Sequence, residues 1–234
     1  MLVVNNIDVF YGPIQVLYNV SLKVNQGEIV FLGGQNSAGK TTTIKTIIGL
    51  LHPKNGSIQY QGNRIDKLST YEIVRRGVAC LLEGKRVFPY LSVLENLQTA
   101  ATTPEAKERF TETLEEVYEL FPILKERKKQ LAGTLSGGEQ HMLAIARSLI
   151  LRPKLCIFDE ISLGLSPILT AQLYKVIEKL KARGLTFLIV DQNIRRALQI
   201  CDRLYIMRKG RIVWEGSREE AVETEIKKAY FGFE

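Results

Sequence analysis

Three short stretches of this chain hold residues whose types and spacing suit chemistry on a phosphate ester. The first is Gly34-Gln35-Asn36-Ser37-Ala38-Gly39-Lys40-Thr41-Thr42, which satisfies G-x-x-x-x-G-K-[ST] in full, the phosphate-binding P-loop. Small residues there let backbone N–H groups converge on one anion. Lys40 adds a point charge for β- and γ-phosphates, and the Thr41 hydroxyl suits the Mg²⁺ that travels with a nucleoside triphosphate. The second is Asp159-Glu160, two acids placed directly after the apolar run Leu155-Cys156-Ile157-Phe158. Uncompensated carboxylates at the end of a buried strand are costly, so something cationic is expected to meet them. The third is Leu135-Ser136-Gly137-Gly138-Glu139-Gln140, a small-residue loop that opens onto a helix.

These stretches need a scaffold, and the apolar pattern supplies one. Ile29-Val30-Phe31-Leu32 reads as a buried strand leading into the first loop, and Ile44, Ile47, Ile48 and Leu51 predict a helix after it. Val3, Val9 and the alternating Val20, Leu22 and Val24 read as antiparallel strands, with Tyr11 in a turn before Gly12-Pro13. Ser57 to Tyr60 with Gly62-Asn63 reads as a short hairpin. From Leu91 to Leu131 strand signals vanish, and Phe110, Leu114, Val117 and Phe121 keep helical spacing, as do Met142, Ile145, Ala146 and Leu149 beyond. Leu169, Leu173, Val176, Ile177 and Leu180 mark a further helix and Thr186 to Val190 another buried strand. A hairpin turning at Lys209-Gly210 and a final short helix with Val222, Ile226 and Ala229 follow. The fold class is therefore α/β: a mainly parallel P-loop nucleotide-binding sheet core with an antiparallel β subdomain and an inserted α-helical subdomain, ligand at the strands' C-terminal ends.

Bulk properties narrow the function classes. The 234 residues suffice for a sizeable core, and 45% hydrophobic with 24% charged residues is ordinary for a globular protein rather than a disordered or fibrous one. The formal net charge of +7 would favour an acidic partner, yet the basic residues are scattered, and the densest run, Lys125 to Lys129, reads as a solvated helix end. Cys80, Cys156 and Cys201 are widely spaced in apolar surroundings, which suits core residues of a reducing compartment. His52 and His141 read as structural. No apolar run reaches the roughly 20 residues of a membrane span, so the chain is expected to be cytoplasmic.

In this order and spacing the P-loop, the Walker B-like strand ending at Asp159-Glu160 and the Leu135-Ser136-Gly137-Gly138-Glu139 stretch resemble the ATP-binding cassette (ABC) proteins. The resemblance runs from Leu2 to Tyr230. Leu82-Glu83-Gly84-Lys85-Arg86-Val87-Phe88-Pro89, Ser162-Leu163-Gly164-Leu165-Ser166-Pro167 and Asp191-Gln192-Asn193 are most similar to ATP-binding subunits of branched-chain amino-acid importers. It implies one domain over 1–234, a sheet lobe from 1–90 and 152–234 and a helical lobe over about 91–151. It also implies ATP and Mg²⁺: Tyr11 stacking on adenine beside Val16, Gly34 to Thr42 cradling phosphates, and Thr41, Asp159 and Glu83 around the metal. By the same resemblance Glu160 would polarise the attacking water and Gln192 would face the γ-phosphate. The resemblance also implies that Ser136, Gly137, Gly138 and Glu139 would contact ATP held by a second cassette subunit, identical or related. Integral-membrane permease subunits, met by the helical lobe and the apolar cluster Leu82, Val87, Phe88, Pro89 and Tyr90, and a periplasmic or extracellular solute-binding protein complete the implied assembly. The chain would then sit on the inner face of the cell membrane.

Several positions depart from the general cassette pattern. Glu83 replaces Gln, Gln192 replaces His and cannot carry an imidazolium charge, Ser37 replaces Gly where a positive φ would strain it, and Ile161 replaces Pro. A degenerate regulatory cassette and a cassette for urea or short amides are the alternative readings. A cassette acting on DNA or ribosomes does not fit, because one P-loop and no long coiled-coil insertion are present, and no nucleic-acid partner is expected.

Overall fold

The computed structural model describes residues 1–84, 87–222, 226 and 228–230, with backbone alone at 195–197. In chain order, β1 (Leu2–Tyr11) and β2 (Ile14–Val24) form a hairpin, and β3 (Ile29–Gly33) leads into α1 (Lys40–Ile47). Next come β4 (Asn55–Tyr60), β5 (Asn63–Arg64), α2 (Thr70–Arg75) and β6 (Val78–Leu81). A helical stretch follows: α3 (Val93–Ala100), α4 (Pro104–Glu108), α5 (Phe110–Leu120), α6 (Pro122–Glu126) and α7 (Gly137–Ile150). The chain then returns to sheet through β7 (Leu155–Asp159), α8 (Pro167–Ala182), β8 (Thr186–Asp191), α9 (Ile194–Ile200), β9 (Arg203–Arg208) and β10 (Arg211–Ser217).

Two sheets result. The larger has the order β10-β9-β3-β8-β7-β6, parallel throughout except for the β9–β10 hairpin, and the smaller is antiparallel with the order β2-β1-β4-β5. Because side chains alternate along a strand, β3 sends Ile29 and Phe31 to one core and Val30 and Leu32 to another. β7 and β8 split in the same way. On one face lie the antiparallel sheet, α1 and α2; on the other lie the helices from α3 to α9. A central strand covered on both faces explains the unbroken apolar runs read in the sequence.

The parallel strands β3, β7 and β8 end together at Gly33, Asp159 and Asp191, paired in register through Gly33 with Asp191 and Asp159 with Val190. That edge of the sheet gathers the P-loop, the acid pair and Gln192. The helix after the P-loop is shorter than its apolar spacing suggests: α1 ends at Ile47, the chain turns at Gly49, and Leu51 packs on the core from outside the helix. The final helix is seen at Ile226 and 228–230, whereas residues 223–225, 227 and 231–234, like Lys85 and Arg86, lie outside the described residues. Cys156 and Cys201 are buried and all three cysteines are free thiols. His52 bonds the Asp66 carbonyl through Nδ1 at 2.9 Å, and His141 is buried on α7. Among the described residues no helix is long and apolar enough to cross a membrane.

Candidate nucleotide site

The loop after β3 wraps around its own lysine. Lys40 begins α1, is 5% exposed, and donates from Nζ to the carbonyls of Gly34 at 2.8 Å and Gln35 at 3.0 Å. Burial pushes its ammonium below the usual range, while the fields of Glu160, Asp159, Asp191 and Glu83 pull it back up. Ser37 adopts φ 64°, the left-handed conformation that makes a side chain costly there.

The acid pair stands opposite. Asp159 is fully buried at the end of β7, where its Oδ2 accepts the Thr41 hydroxyl at 3.0 Å and its Oδ1 has no hydrogen-bond partner. Burial pushes this carboxyl up, against the Thr41 bond that lowers it. Glu160 takes φ 50°, donates its N–H to the Val190 carbonyl at 2.7 Å, and accepts the Gln192 amide on Oε1 at 2.8 Å. A non-glycine residue at positive φ is a strained placement, held here by the neighbouring strand. Lys40 is a cation whose field reaches both acids, and Thr41 and Gln192 hydrogen-bond Asp159 and Glu160 directly. A cavity of about 620 Å³ lies between Ser37, Lys40, Thr41 and Thr42 on one wall and Glu83, Glu160, Leu163 and Gln192 on the other, with Val16 at its edge.

Other residues singled out in the sequence fall elsewhere. Tyr11 stands at the end of β1, 43% exposed, and is not among the residues lining this cavity. Ser136 caps α7: its Oγ accepts the Glu139 N–H at 3.3 Å and Glu139 returns a carboxylate to the Ser136 N–H at 2.8 Å. Ser136 and Gly137 are exposed, and the α7 N-terminus lines neighbouring clefts rather than the P-loop cavity. Glu139 is also gripped by Arg127 at 3.2 Å.

The match to the ABC transporter family model spans residues 17–162, from β2 through the acid pair. The chain belongs to the ABC transporter ATP-binding family. The cassette is 42% identical to the high-affinity branched-chain amino acid transport ATP-binding protein BraG of Pseudomonas aeruginosa, covering 99% of this chain and 100% of that one. It is 35% identical to the lipopolysaccharide export system ATP-binding protein LptB of Haemophilus influenzae, covering 99% and 97%. Among solved structures it is similar to the ADP conformation of MJ1267, an ATP-binding cassette of an ABC transporter, with a TM-score of 0.82 and 29% identity over 97% of this chain and 93% of that one. As a member of this family the cassette binds ATP and is an ATPase coupled to transport.

Sequence reading passed over two contributors to the site. Leu163 was quoted only as part of a family stretch, yet it lines the cavity. Ser162 donates to Asp191 Oδ2 at 2.6 Å, and Asp191 Oδ1 accepts the N–H groups of Gln192 at 2.6 Å and Asn193 at 3.1 Å, so a buried carboxylate shapes the turn that presents Gln192. In the sequence, Ser162 and Asp191 stand only within the stretches shared with importer cassettes, and Asp191, like Asp159, is an acid at the end of an apolar strand.

Proposed function

We propose that this cassette is the ATP-hydrolysing subunit of an importer for branched-chain or related amino acids, working in pairs on the cytoplasmic face beneath integral-membrane permeases. The observation that carries the hydrolytic reading is the single cavity walled by Lys40 and Thr41 on one side and Glu160 and Gln192 on the other. Likeness to BraG along the full length of both chains supports the solute class.

Phosphoryl transfer asks mainly for positioning and charge stabilisation. The P-loop amides and Lys40 hold the β- and γ-phosphates, and Val16, which lines the cavity, takes the base. The donor set suits a hard cation: the Thr41 hydroxyl beside the unpartnered Asp159 Oδ1, and no group of three His, Cys, Asp or Glu among the described residues, point to Mg²⁺ held partly by substrate phosphates, with Glu83 nearby. Thr41 and Asp159 would hold the ion, which would supply positive charge against the charge building on the phosphates. Glu160 orients and polarises the attacking water, and the Gln192 amide fixes that carboxylate and donates toward the γ-phosphate. Ser136 and Gly137, exposed and not among the residues lining the cavity, together with Gly138 and Glu139 behind them, suit a role on ATP bound by the second subunit.

The permease-facing surface is the loop after Glu83. Phe88 and Tyr90 are exposed, and buried Asn96 braces the loop through the carbonyls of Phe88 at 2.9 Å and Leu91 at 3.2 Å, with the Arg147 guanidinium 4.6 Å over the Phe88 ring.

Glu160→Gln is expected to keep ATP binding and to lower steady-state hydrolysis by roughly 10²-fold or more. Equal turnover by variant and parent would exclude the assigned role. In membranes holding the assembled transporter, ATP-dependent uptake of labelled leucine is expected; uptake of urea with none of leucine would overturn the solute class.

A further inference from the structure

The two halves of the nucleotide site come from different sheets, and a turn distant in sequence joins them. The base-side residue Val16 lies on β2 of the antiparallel sheet, whereas the phosphate loop follows β3 of the parallel one. Between them sits the β9–β10 turn, Lys209-Gly210. The Gly210 N–H donates to the Ala38 carbonyl inside the P-loop at 2.8 Å, and the Gly210 carbonyl accepts the Tyr18 N–H at 2.9 Å. One residue thus hydrogen-bonds both halves through its two backbone groups.

The fit leaves no space for a side chain. Gly210 has φ 75°, and a Cβ there would lie 2.1 Å from the Val16 carbonyl oxygen and 2.9 Å from Tyr18 Cδ2. Neighbouring contacts brace the turn on both sides. The Arg211 guanidinium lies 4.8 Å over the Tyr18 ring, and Thr43 on α1 donates to the Met207 sulfur at 3.8 Å.

We propose that the Lys209-Gly210 turn is a positioning device that fixes the spacing between the base-side strand at Val16–Tyr18 and the phosphate loop at Ala38, so that base and polyphosphate are bound as one ligand. This rests on the nucleotide-site assignment above. A polyphosphate without a base needs only the P-loop, Lys40 and Thr41. ATP needs both halves at the correct separation, so disturbing the turn penalises ATP selectively.

The test compares ATP with inorganic tripolyphosphate, each with Mg²⁺, in competition against a fluorescent ATP analogue. Gly210→Ala is expected to weaken ATP roughly tenfold while leaving tripolyphosphate unchanged, in line with the cost of forcing strained backbone. Gly62→Ala is the control: it places a Cβ at a similar φ of 79° in a β4–β5 turn with nothing within 4 Å, and is expected to alter neither affinity. Equal weakening of both ligands by Gly210→Ala, no weakening of either, or a tripolyphosphate that fails to compete in the unaltered protein overturns the proposal. Amide exchange in the unaltered protein gives a reading independent of whether Gly210→Ala folds. Saturating ATP is expected to slow exchange at Tyr18 and Gly210 together with the P-loop, and slowing confined to the P-loop overturns the proposal. Failure of the unaltered protein to bind ATP at all would instead defeat the nucleotide-site assignment beneath it.

Discussion

Asp159 carries a conflict between stability and chemistry. Its carboxyl is fully buried with one oxygen unpartnered, and burial raises its pKa above the ordinary carboxylate value. With the folded pKa raised, the stabilising contribution is present below the free-chain value and is lost as pH rises through the folded one. Ionising the group therefore costs stability, and Asp159→Asn is expected to raise the nucleotide-free melting temperature while abolishing hydrolysis. The gap is expected to narrow on acidification; a gap that widens would contradict the burial argument. Ser37 holds a smaller strain. A side chain in the left-handed region costs roughly 1–2 kcal/mol, and glycine loses about 0.4–1 kcal/mol through the unfolded chain, so Ser37→Gly is expected to stabilise by about 0.5 kcal/mol in urea unfolding. The residue types at these positions were legible in the sequence, including the question that Ser37 raised about φ. The positive φ of Glu160 and the bond from Ser162 to Asp191 were not, because both depend on β7 and β8 lying side by side.

Among the described residues, three helices open with the same reciprocal cap: Ser69 with Glu72 on α2, Ser92 with Glu95 on α3, and Ser136 with Glu139 on α7. Each serine satisfies an N–H at the helix start, and losing it typically costs about 1 kcal/mol. Ser69→Ala and Ser136→Ala are therefore expected to lower stability by similar amounts, while only Ser136→Ala slows ATP turnover. Equal turnover in both would remove the role given to the α7 N-terminus. Strands were easy to read at this scale, since burial on both faces leaves continuous apolar runs such as Ile29 to Leu32. Helix ends were harder. Apolar spacing carried the helix after the P-loop to Leu51, but the chain turns at Gly49, and Leu51 packs partly buried on the core from the loop beyond. Periodicity records which residues are buried, and a turn can bury a residue as well as a helix can.

Across the whole molecule, the cavity and the α7 N-terminus are separate surfaces of one chain. The P-loop, Glu160 and Gln192 line one space, and Ser136 and Gly137 are exposed and not among the residues lining it. The family could be read from the order of three motifs, and the layered fold followed from strands alternating with helices. Pairing between copies came only from the resemblance of the Leu135–Glu139 stretch, because within one chain that stretch looks like any exposed glycine-bearing turn. The most direct test is light scattering with nucleotide quantification on the Glu160→Gln cassette in ATP and Mg²⁺. A species of twice the monomer mass, holding one intact ATP per chain and falling apart when Mg²⁺ is chelated, is the expected result. A protein that binds ATP yet stays monomeric at every concentration tested, or that binds none, would contradict it.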